Sequence, residues 1–416
     1  PPVGTIISRS QRPANQSAAA CIIRSMLGSA VYGLLLLQAG GLEARFDRLM
    51  RDILIFDAHV DTPRYTVDEG YRWADEHAYY ETDIPRLKRG HVGAVLFGVY
   101  VEPQDFPQQL WLPRALECID AFHEEARRNP ADVEVAYSAA DVVRIHMSRK
   151  TAVMVSLEGG HLILDSLPLL RMYHRLGVRY MTLAHFRTNN WADSQTDVAV
   201  HNGLSAFGRE VVREMNRLGM IVDISHVSDK SALDALEISR LPVIASHSSA
   251  KALCDIPRNM SDEILRAIGK KAGVVCINFH AGYLDKAAYD VYWRNRESRV
   301  REVKETLALH AESPKRWELV RAILERYYKL MPPVELKQLL RHIDHVAKIA
   351  GVDHVGLGSD FDGISGMAPR GLEDVSKYPA LVKGLMEMGY SDSDIRKVMG
   401  ENLLRVMRAN EAGAER

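Results

Sequence analysis

Few cysteines and no long basic run occur in this chain, and these two deficits exclude several classes of protein. The four cysteines among its 416 residues are Cys21, Cys118, Cys254 and Cys276, none of them in CxxC spacing. A disulfide framework and a thiolate zinc site are both disfavoured, so the ligands of any metal must be His, Asp or Glu. The formal net charge is -1, which makes nucleic acid a poor candidate partner.

The longest apolar run of the sequence is too short for a comfortable membrane span. The apolar run at residues 26–41, MLGSAVYGLLLLQAGG, suits the core of a signal peptide, but no A-x-A site follows it. We slightly favour an N-terminal helix for this run. We expect residues 1–41 to be an N-terminal extension and residues 42–416 to be one barrel domain. A cytoplasmic location is favoured, with export or membrane association through residues 26–41 as the alternative.

One apolar stretch, ILIFDAHVD at residues 53–61, ends in two side chains that can bind metal. Such an unbroken run is typical of a strand buried on both faces in a parallel sheet. His59 and Asp61 are two residues apart and share one face of the strand, so they can hold one ion together. A single pair of this kind is more often an ordinary polar strand end, but the pattern recurs along the chain.

Short apolar strands alternate with helical segments along the chain, which predicts a parallel α/β sheet. Among the helical segments, residues 111–128, 206–218 and 262–270 are predicted to form helices. The eight predicted strands are residues 53–61, 92–101, 152–157, 179–184, 220–225, 242–246, 273–278 and 354–359. Eight such units close a (β/α)8 barrel of the TIM type. An open doubly wound sheet would need a Gly-rich turn after its first strand, and DAHVDTP is not one. Residues 285–350 are predicted to form a helical insertion before the eighth strand.

Polar side chains capable of chemistry follow the first, third, fourth, fifth, sixth and eighth predicted strands. Barrels of this type carry their chemistry at these strand ends. The candidate metal ligands are His59, Asp61, Glu158, His226 and His247. Nitrogen and oxygen donors without sulfur suit Zn²⁺ or a similar divalent ion. Five donors with one bridging acid would give each of two ions three ligands.

Three further residues have both a structural and a functional interpretation. Asp360 either caps a following helix or acts as a general acid/base, whereas Asp362 is the better candidate for a structural acid. Arg258 is either a surface loop cation or a clamp for a substrate carboxylate. Ser261, three residues later, is predicted to cap the next helix.

Several motifs, in a fixed order from residue 57 to residue 406, carry a family resemblance. They are DAHVDTP, IPRLKRGHVGA, LEGGH, YMTLAHFRTNNWADS, VDISHVS, ASHSSAKALCDIPRNMSDE, GLGSDFDG and GENLLRV. Together they resemble the membrane (renal-type) dipeptidase family, peptidase family M19 of the amidohydrolase superfamily. The resemblance covers nearly the whole chain and implies an amidohydrolase-like metal-dependent hydrolase.

The resemblance implies a dipeptidase with two zinc ions, which hydrolyses dipeptides with hydroxide held between the ions. One zinc would be bound by His59, Asp61 and Glu158, and the other by Glu158, His226 and His247. It also implies that His185 polarises the substrate, that Arg258 binds its carboxylate and that Asp360 is the catalytic acid. A homodimer is expected by analogy. The configuration of the second residue, L or D, stays open.

The chain departs from the family at its cysteines. Mammalian members carry a cysteine shortly after the His185 position, where Phe186 and Arg187 stand here. Cys254 matches a family cysteine whose partner has no counterpart, which favours a reduced, bacterial-type protein.

Two other functions share these ligands. A dinuclear-zinc amidohydrolase acting on a lactone, amide or phosphoester would not need Arg258. A non-catalytic zinc-binding protein would be expected to lack a ligand or Asp360, and the sequence retains them all.

Overall fold

The structure is a computed structural model that describes residues 41–311, 313 and 315–415. Residues 53–416 form one compact unit, and the helix at residues 41–50 (α1) belongs to a separate one. The prediction for the apolar run concerns residues 26–40, which lie outside the described residues, and Gly41, which is helical. Within the described part of the chain, none of the helices combines the length and the apolar character that a membrane crossing requires.

Nine parallel strands form the sheet, and those of the barrel wall are almost entirely buried. Burial on both faces explains why the sequence shows continuous apolar runs instead of an alternating pattern. The strands are β1 (Ile55–Val60), β2 (Val92–Val99), β3 (Val133–Val135), β4 (Thr151–Glu158), β5 (Val178–Thr182), β6 (Ile221–Asp223), β7 (Ile244–Ala245), β8 (Val274–Ile277) and β9 (Val355–Leu357).

Pairing between β2 and β4 closes eight of these strands into a barrel. The sheet runs in the order β2-β1-β9-β8-β7-β6-β5-β4, and β2 returns to pair with β4 from Ala94↔Ala152 to Val99↔Leu157. The predicted (β/α)8 barrel is confirmed, and the doubly wound alternative is wrong.

The ninth strand, β3, is an addition that the sequence did not predict. It pairs with the first residues of β4, from Val133↔Thr151 to Val135↔Val153. The pairing of β4 with β5 begins at Val155, further along the same strand. A three-residue strand is too short for periodicity to reveal it.

Helices surround the barrel and connect its strands. They are α2 (Thr62–Glu69), α3 (Ile84–Arg89), α4 (Trp111–Arg128), α5 (Ala139–Met147), α6 (Leu167–Arg175), α7 (Ala206–Leu218), α8 (Asp229–Ile238), α9 (Asp262–Lys270), α10 (Ala281–Leu284), α11 (Lys286–Arg294), α12 (Arg296–Leu309), α13 (Arg316–Tyr328), α14 (Leu336–Ala350), α15 (Tyr378–Glu387), α16 (Asp392–Arg396) and α17 (Asn402–Gly413). The predicted bounds of α4, α7 and α9 match the structure. The hydroxyl of Ser261 accepts the backbone N–H of Ile264, so the predicted cap is confirmed.

The predicted helical insertion before the last barrel strand is present. It comprises α11, α12, α13 and α14, which lie between β8 and β9. Because the eight barrel strands are parallel, their carboxyl ends meet at one face of the barrel.

Candidate metal centre and active site

Four histidines turn their Nε2 atoms towards one buried carboxylate, that of Glu158, the last residue of β4. Its Oε1 lies 3.0 Å from Nε2 of His226 and 3.1 Å from Nε2 of His247. The same oxygen lies 3.5 Å from Nε2 of His185, whereas Oε2 lies 3.6 Å from Nε2 of His59. The two oxygens of Glu158 therefore face two different groups of donors.

The structure brings together both ligand sets that the resemblance implies. In the second set, Nε2 of His226 is 2.8 Å from Nε2 of His247. In the first set, Nε2 of His59 is 3.2 Å from Oδ1 of Asp61. Each set includes Glu158, which lies between them.

Two further predicted residues join the cluster. Donor atoms of Glu158, His185 and His226 all lie within 4.8 Å of one another, and so do those of His59, Asp61 and Asp360. The ends of β4, β5, β6, β7 and β9 and the last residues of β1 thus supply one continuous site.

Hydroxyl groups fix the orientation of two of the imidazoles. Nδ1 of His59 lies 2.5 Å from the hydroxyl of Tyr180, which itself donates to a backbone carbonyl. Nδ1 of His247 lies 2.7 Å from Oγ of Ser246, which donates to Asp223. Because each hydroxyl has already donated its hydrogen, it accepts one from Nδ1, and the Nε2 lone pair is left for a metal ion.

Buried acids beneath the strand ends support this arrangement. The carboxylate of Asp57 accepts the backbone N–H of His59 at 3.2 Å and that of Ser359 at 3.0 Å. Asp223 accepts the backbone N–H of Ser246 at 2.8 Å. Sequence reasoning overlooked both acids, although each precedes a histidine by two or three residues, in DAH and DISH.

The residues present fit a divalent metal ion. Nε2 of His59 and Oδ1 of Asp61 are buried without a hydrogen-bond partner among the described residues, an arrangement that costs free energy unless a cation satisfies them. A Cβ at Gly98 of β2 would come within 2.7 Å of Oδ1 of Asp61 and of a carbon of the His59 ring. Only glycine therefore leaves room for these donors above β2. Imidazole and carboxylate donors without thiolate suit an ion of the zinc class.

The protonation states of His226, His247 and Glu158 also suit metal binding. Burial lowers the pKa of His226 and that of His247 well below the ordinary value, and the charge of Arg258 adds to the effect. Both imidazoles are therefore neutral, which is the form that coordinates metal. Although burial would raise the pKa of Glu158, nearby imidazoles, among them His185, hold it well below its usual range.

Asp360 follows β9 and faces the cluster. Its backbone is left-handed, with φ at +63°, and its Oδ2 accepts a hydrogen bond of 2.9 Å from Asn278. No helix begins among the described residues 361–374, so the interpretation of Asp360 as a helix cap is wrong. Burial, together with the charge of Asp61, raises the pKa of Asp360 to about 8.

Asp362, by contrast, holds the loop that carries Asp360. Its carboxylate accepts the backbone N–H of Glu81 at 2.7 Å and the hydroxyl of Thr62. The carboxylate of Glu81 in turn accepts the N–H of Asp362 at 2.6 Å. The structural role predicted for Asp362 agrees with these contacts.

Arg258 is buried beside the metal ligands and is not a surface cation. Its side chain donates to Oγ of Ser248 at 3.0 Å and to the carbonyl of His247 at 2.8 Å. The guanidinium carbon lies 5.6 Å from the centre of the Tyr283 ring. No carboxylate forms an ion pair with Arg258 in the part of the chain that the structure describes, and its Nε has no hydrogen-bond partner there. This is the environment expected of a cation that receives an anionic ligand.

Two residues of the site were not predicted, although they follow barrel strands in the same way as the residues that were predicted. Glu102 follows β2, and its Oε1 lies 3.0 Å from Nδ1 of His185. Asn278 follows β8 and contacts Asp360. Both occupy the polar strand-end position that identified the ligands.

A parallel (β/α)8 barrel with clustered histidines and carboxylates at the carboxyl ends of its strands defines a metal-dependent hydrolase. Comparison with known proteins specifies this class further. The chain belongs to the membrane dipeptidase family, peptidase family M19, whose profile matches residues 43–416. It is therefore a hydrolase of a dipeptidase family.

Individual relatives agree with this placement. The chain is 37% identical over 355 residues to dipeptidase tcpJ of Claviceps purpurea (strain 20.1), a match that covers 83% of this chain and 73% of the relative. The crystal structure of the probable dipeptidase PvdM from Pseudomonas aeruginosa is similar, with a TM-score of 0.77, 26% identity and coverage of 90% of this chain and 99% of that one.

A third relative was solved with a ligand. It is a metallopeptidase from Rhodobacter sphaeroides, liganded with a phosphinate mimic of the dipeptide L-Ala-D-Ala. The TM-score is 0.69 at 25% identity, and the match covers 86% of this chain and 99% of that one.

Proposed function

We propose that this protein is a zinc dipeptidase that binds two ions per chain and hydrolyses the peptide bond of free dipeptides. One observation carries the proposal. Glu158 directs its two oxygens to two separate donor groups, Oε1 to His226 and His247 and Oε2 to His59. This is the geometry required of a carboxylate that bridges two ions. Asp61 completes the first group.

When bound, the ions would supply Lewis acidity and lower the pKa of a coordinated water. Asp360 faces the donors of His59 and Asp61, where it can take a proton from the attacking water and return it to the leaving amine. Asn278 holds the carboxyl group of Asp360 in this position. Nε2 of His185 faces the opposite side of the cluster, where it can donate to the oxygen of the scissile carbonyl.

Arg258 would select free dipeptides. Its guanidinium is buried, lies next to the ligand His247, and has no carboxylate partner among the described residues. A substrate carboxylate at this point would place the adjacent peptide bond near the metal donors and would exclude longer peptides. The ligand of the Rhodobacter sphaeroides relative supports a D-residue at the second position of the substrate.

The test compares free and C-terminally amidated dipeptides, in both configurations of the second residue, on the wild type and on Arg258→Met. A charge-assisted contact contributes about 1.5–3 kcal/mol, so Arg258→Met should raise KM roughly ten- to a hundredfold for the free dipeptide. Amidation of the dipeptide should raise KM by a similar factor for the wild type and should change KM little for the variant.

Two results would contradict the proposal. Equal hydrolysis of free and amidated dipeptides by the wild type would refute the carboxylate clamp and favour another amidohydrolase reaction. Elemental analysis should give about two zinc ions per chain. Full activity with a single bound ion would refute the bridging role of Glu158.

A further inference from the structure

Glu102 is a largely buried carboxylate for which the reaction above has no role. It follows β2, and its side chain is 12% exposed. Oε1 lies 3.0 Å from Nδ1 of His185, whereas Oε2 has no hydrogen-bond partner among the described residues. A buried carboxylate is costly unless a donor or a positive charge lies beside it. His185 is the group that compensates Glu102.

The other neighbours of His185 cannot determine which of its nitrogens faces the metal donors. The ring of Tyr100 meets the imidazole edge-on with a centroid distance of 5.8 Å, and that of Phe186 is tilted against it at 4.2 Å. Such ring contacts restrict the plane of the imidazole, but only a polar partner distinguishes nitrogen from carbon. The contact with Glu102 therefore directs Nε2 towards Glu158.

His185 differs from the other three histidines of the cluster in this respect. Nδ1 of His59 and that of His247 contact neutral hydroxyl groups, and Nδ1 of His226 is buried without a hydrogen-bond partner among the described residues. His185 alone of the four has a carboxylate at Nδ1. Nδ1 of His185 and Oε1 of Glu102 do not meet in hydrogen-bond geometry in this structure, but an ionised carboxylate only accepts hydrogen bonds, so the 3.0 Å contact favours a proton on Nδ1.

We propose that Glu102 is a positioning residue of the reaction, which holds His185 with Nε2 aimed at the scissile carbonyl. The inference rests on the role proposed for His185 and extends it to a residue that does not touch the substrate. Glu102 acts only through the imidazole, so its contribution should vanish when His185 is absent.

Kinetics of two variants test the contact. Glu102→Leu removes the acceptor, whereas Glu102→Gln keeps an oxygen that can accept from Nδ1. We expect Glu102→Leu to lower kcat about 10- to 100-fold, as for other residues that orient an active-site histidine, and Glu102→Gln to lower it much less. KM and bound metal should stay at wild-type values. Asp105→Asn is the matched control, since Asp105 is a 41% exposed acid of the same loop that pairs with Lys304.

A double-variant cycle separates positioning from a structural role. In a His185→Gln background, adding Glu102→Leu should lower kcat by less than about twofold. An equal loss in both backgrounds would overturn the proposal. So would loss of metal in step with activity, or wild-type kcat in Glu102→Leu.

Nitrogen-15 NMR of the zinc-loaded, full-length protein, labelled at histidine, distinguishes failure of this inference from failure of the dipeptidase proposal. The His185 signals are identified by their absence in His185→Gln. We expect protons on both ring nitrogens in the wild type and in Glu102→Gln, since Nε2 must keep one to donate to the carbonyl oxygen, and a partly unprotonated Nδ1 in Glu102→Leu. An unprotonated Nδ1 in the wild type would overturn the inference. A protonated Nδ1 without hydrolysis of any dipeptide would refute only the dipeptidase proposal.

Discussion

Asp360 shows how much the role of a single residue depends on its surroundings. Burial and the neighbouring Asp61 favour its neutral form, while the hydrogen bond from Asn278 favours the carboxylate. A group balanced in this way can release and recover a proton near neutral pH. The left-handed backbone of Asp360 is costly for most side chains, and such strain occurs often at functional sites.

Asp360→Asn should lower kcat by roughly 10²- to 10⁴-fold, because the amide cannot carry the proton. Asparagine tolerates the left-handed conformation and can still accept the hydrogen bond from Asn278, so the loop should keep its structure. Turnover, bound metal and melting temperature should be measured on the same preparation. A fall in activity that follows a loss of metal or a lower melting temperature would point to a structural role instead.

At the scale of the element, β2 contributes to the site because one of its residues, Gly98, has no side chain. The strand passes beneath His59 and Asp61, and Gly98 leaves space for both of them. The other barrel strands of the site contribute through residues at or beyond their carboxyl ends, as β2 itself also does through Glu102. A single strand can therefore determine metal binding without supplying a ligand.

Gly98→Ala should weaken metal binding by about 10- to 100-fold, since the new Cβ would displace Oδ1 of Asp61 and the ring of His59. The affinity can be measured by competition with a chelator. Gly41→Ala is the control, because a Cβ there meets none of the described residues within 4 Å. If Gly98→Ala binds zinc as tightly as the wild type, the donors can move aside and the space above β2 is not critical.

At the scale of the molecule, a buried histidine makes stability sensitive to acid. His342 of α14 accepts the backbone N–H of Ala250 through Nδ1, and its Nε2 contacts the carbonyl of Leu284. Burial lowers the pKa of His342 to about 4. Through its contacts with Ala250 and Leu284, His342 joins α14 to the segments that follow β7 and β8.

Between about pH 6.5 and pH 4 the unfolded chain binds a proton at this position that the folded chain does not. The stabilising contribution of His342 is therefore complete above pH 6.5 and is lost as the pH falls towards 4. This proton linkage lowers the free energy of unfolding by about 2 kcal/mol between pH 7 and pH 5.

His342→Asn keeps an acceptor for Ala250 but cannot take up this proton. The variant should be less stable than the wild type at pH 7, and the difference should shrink towards pH 5. Urea unfolding at both pH values measures it. A difference that stays constant would exclude His342 as a source of acid sensitivity.

Much of the fold could be predicted from local pattern because the barrel repeats one kind of unit. Apolar runs of strand length and helical periodicity depend only on neighbouring residues, so α4, α7 and α9 were located to the residue. The strand β3 and the short helices α2 and α3 escaped prediction, since their segments carry too few residues to establish a period. The helix α5 escaped as well, although at 9 residues it is as long as α9.

By itself the sequence determined the fold class, the order of the strands and the candidate metal donors, because a residue such as His59 lies at the end of the strand that places it. Only the tertiary structure decided what depends on contacts between distant segments. Pairing of β2 with β4 closes the barrel, and burial leaves Arg258 without a carboxylate partner among the described residues. Contacts across strands also bring Glu102 to Nδ1 of His185, although the two residues lie 83 residues apart in the chain.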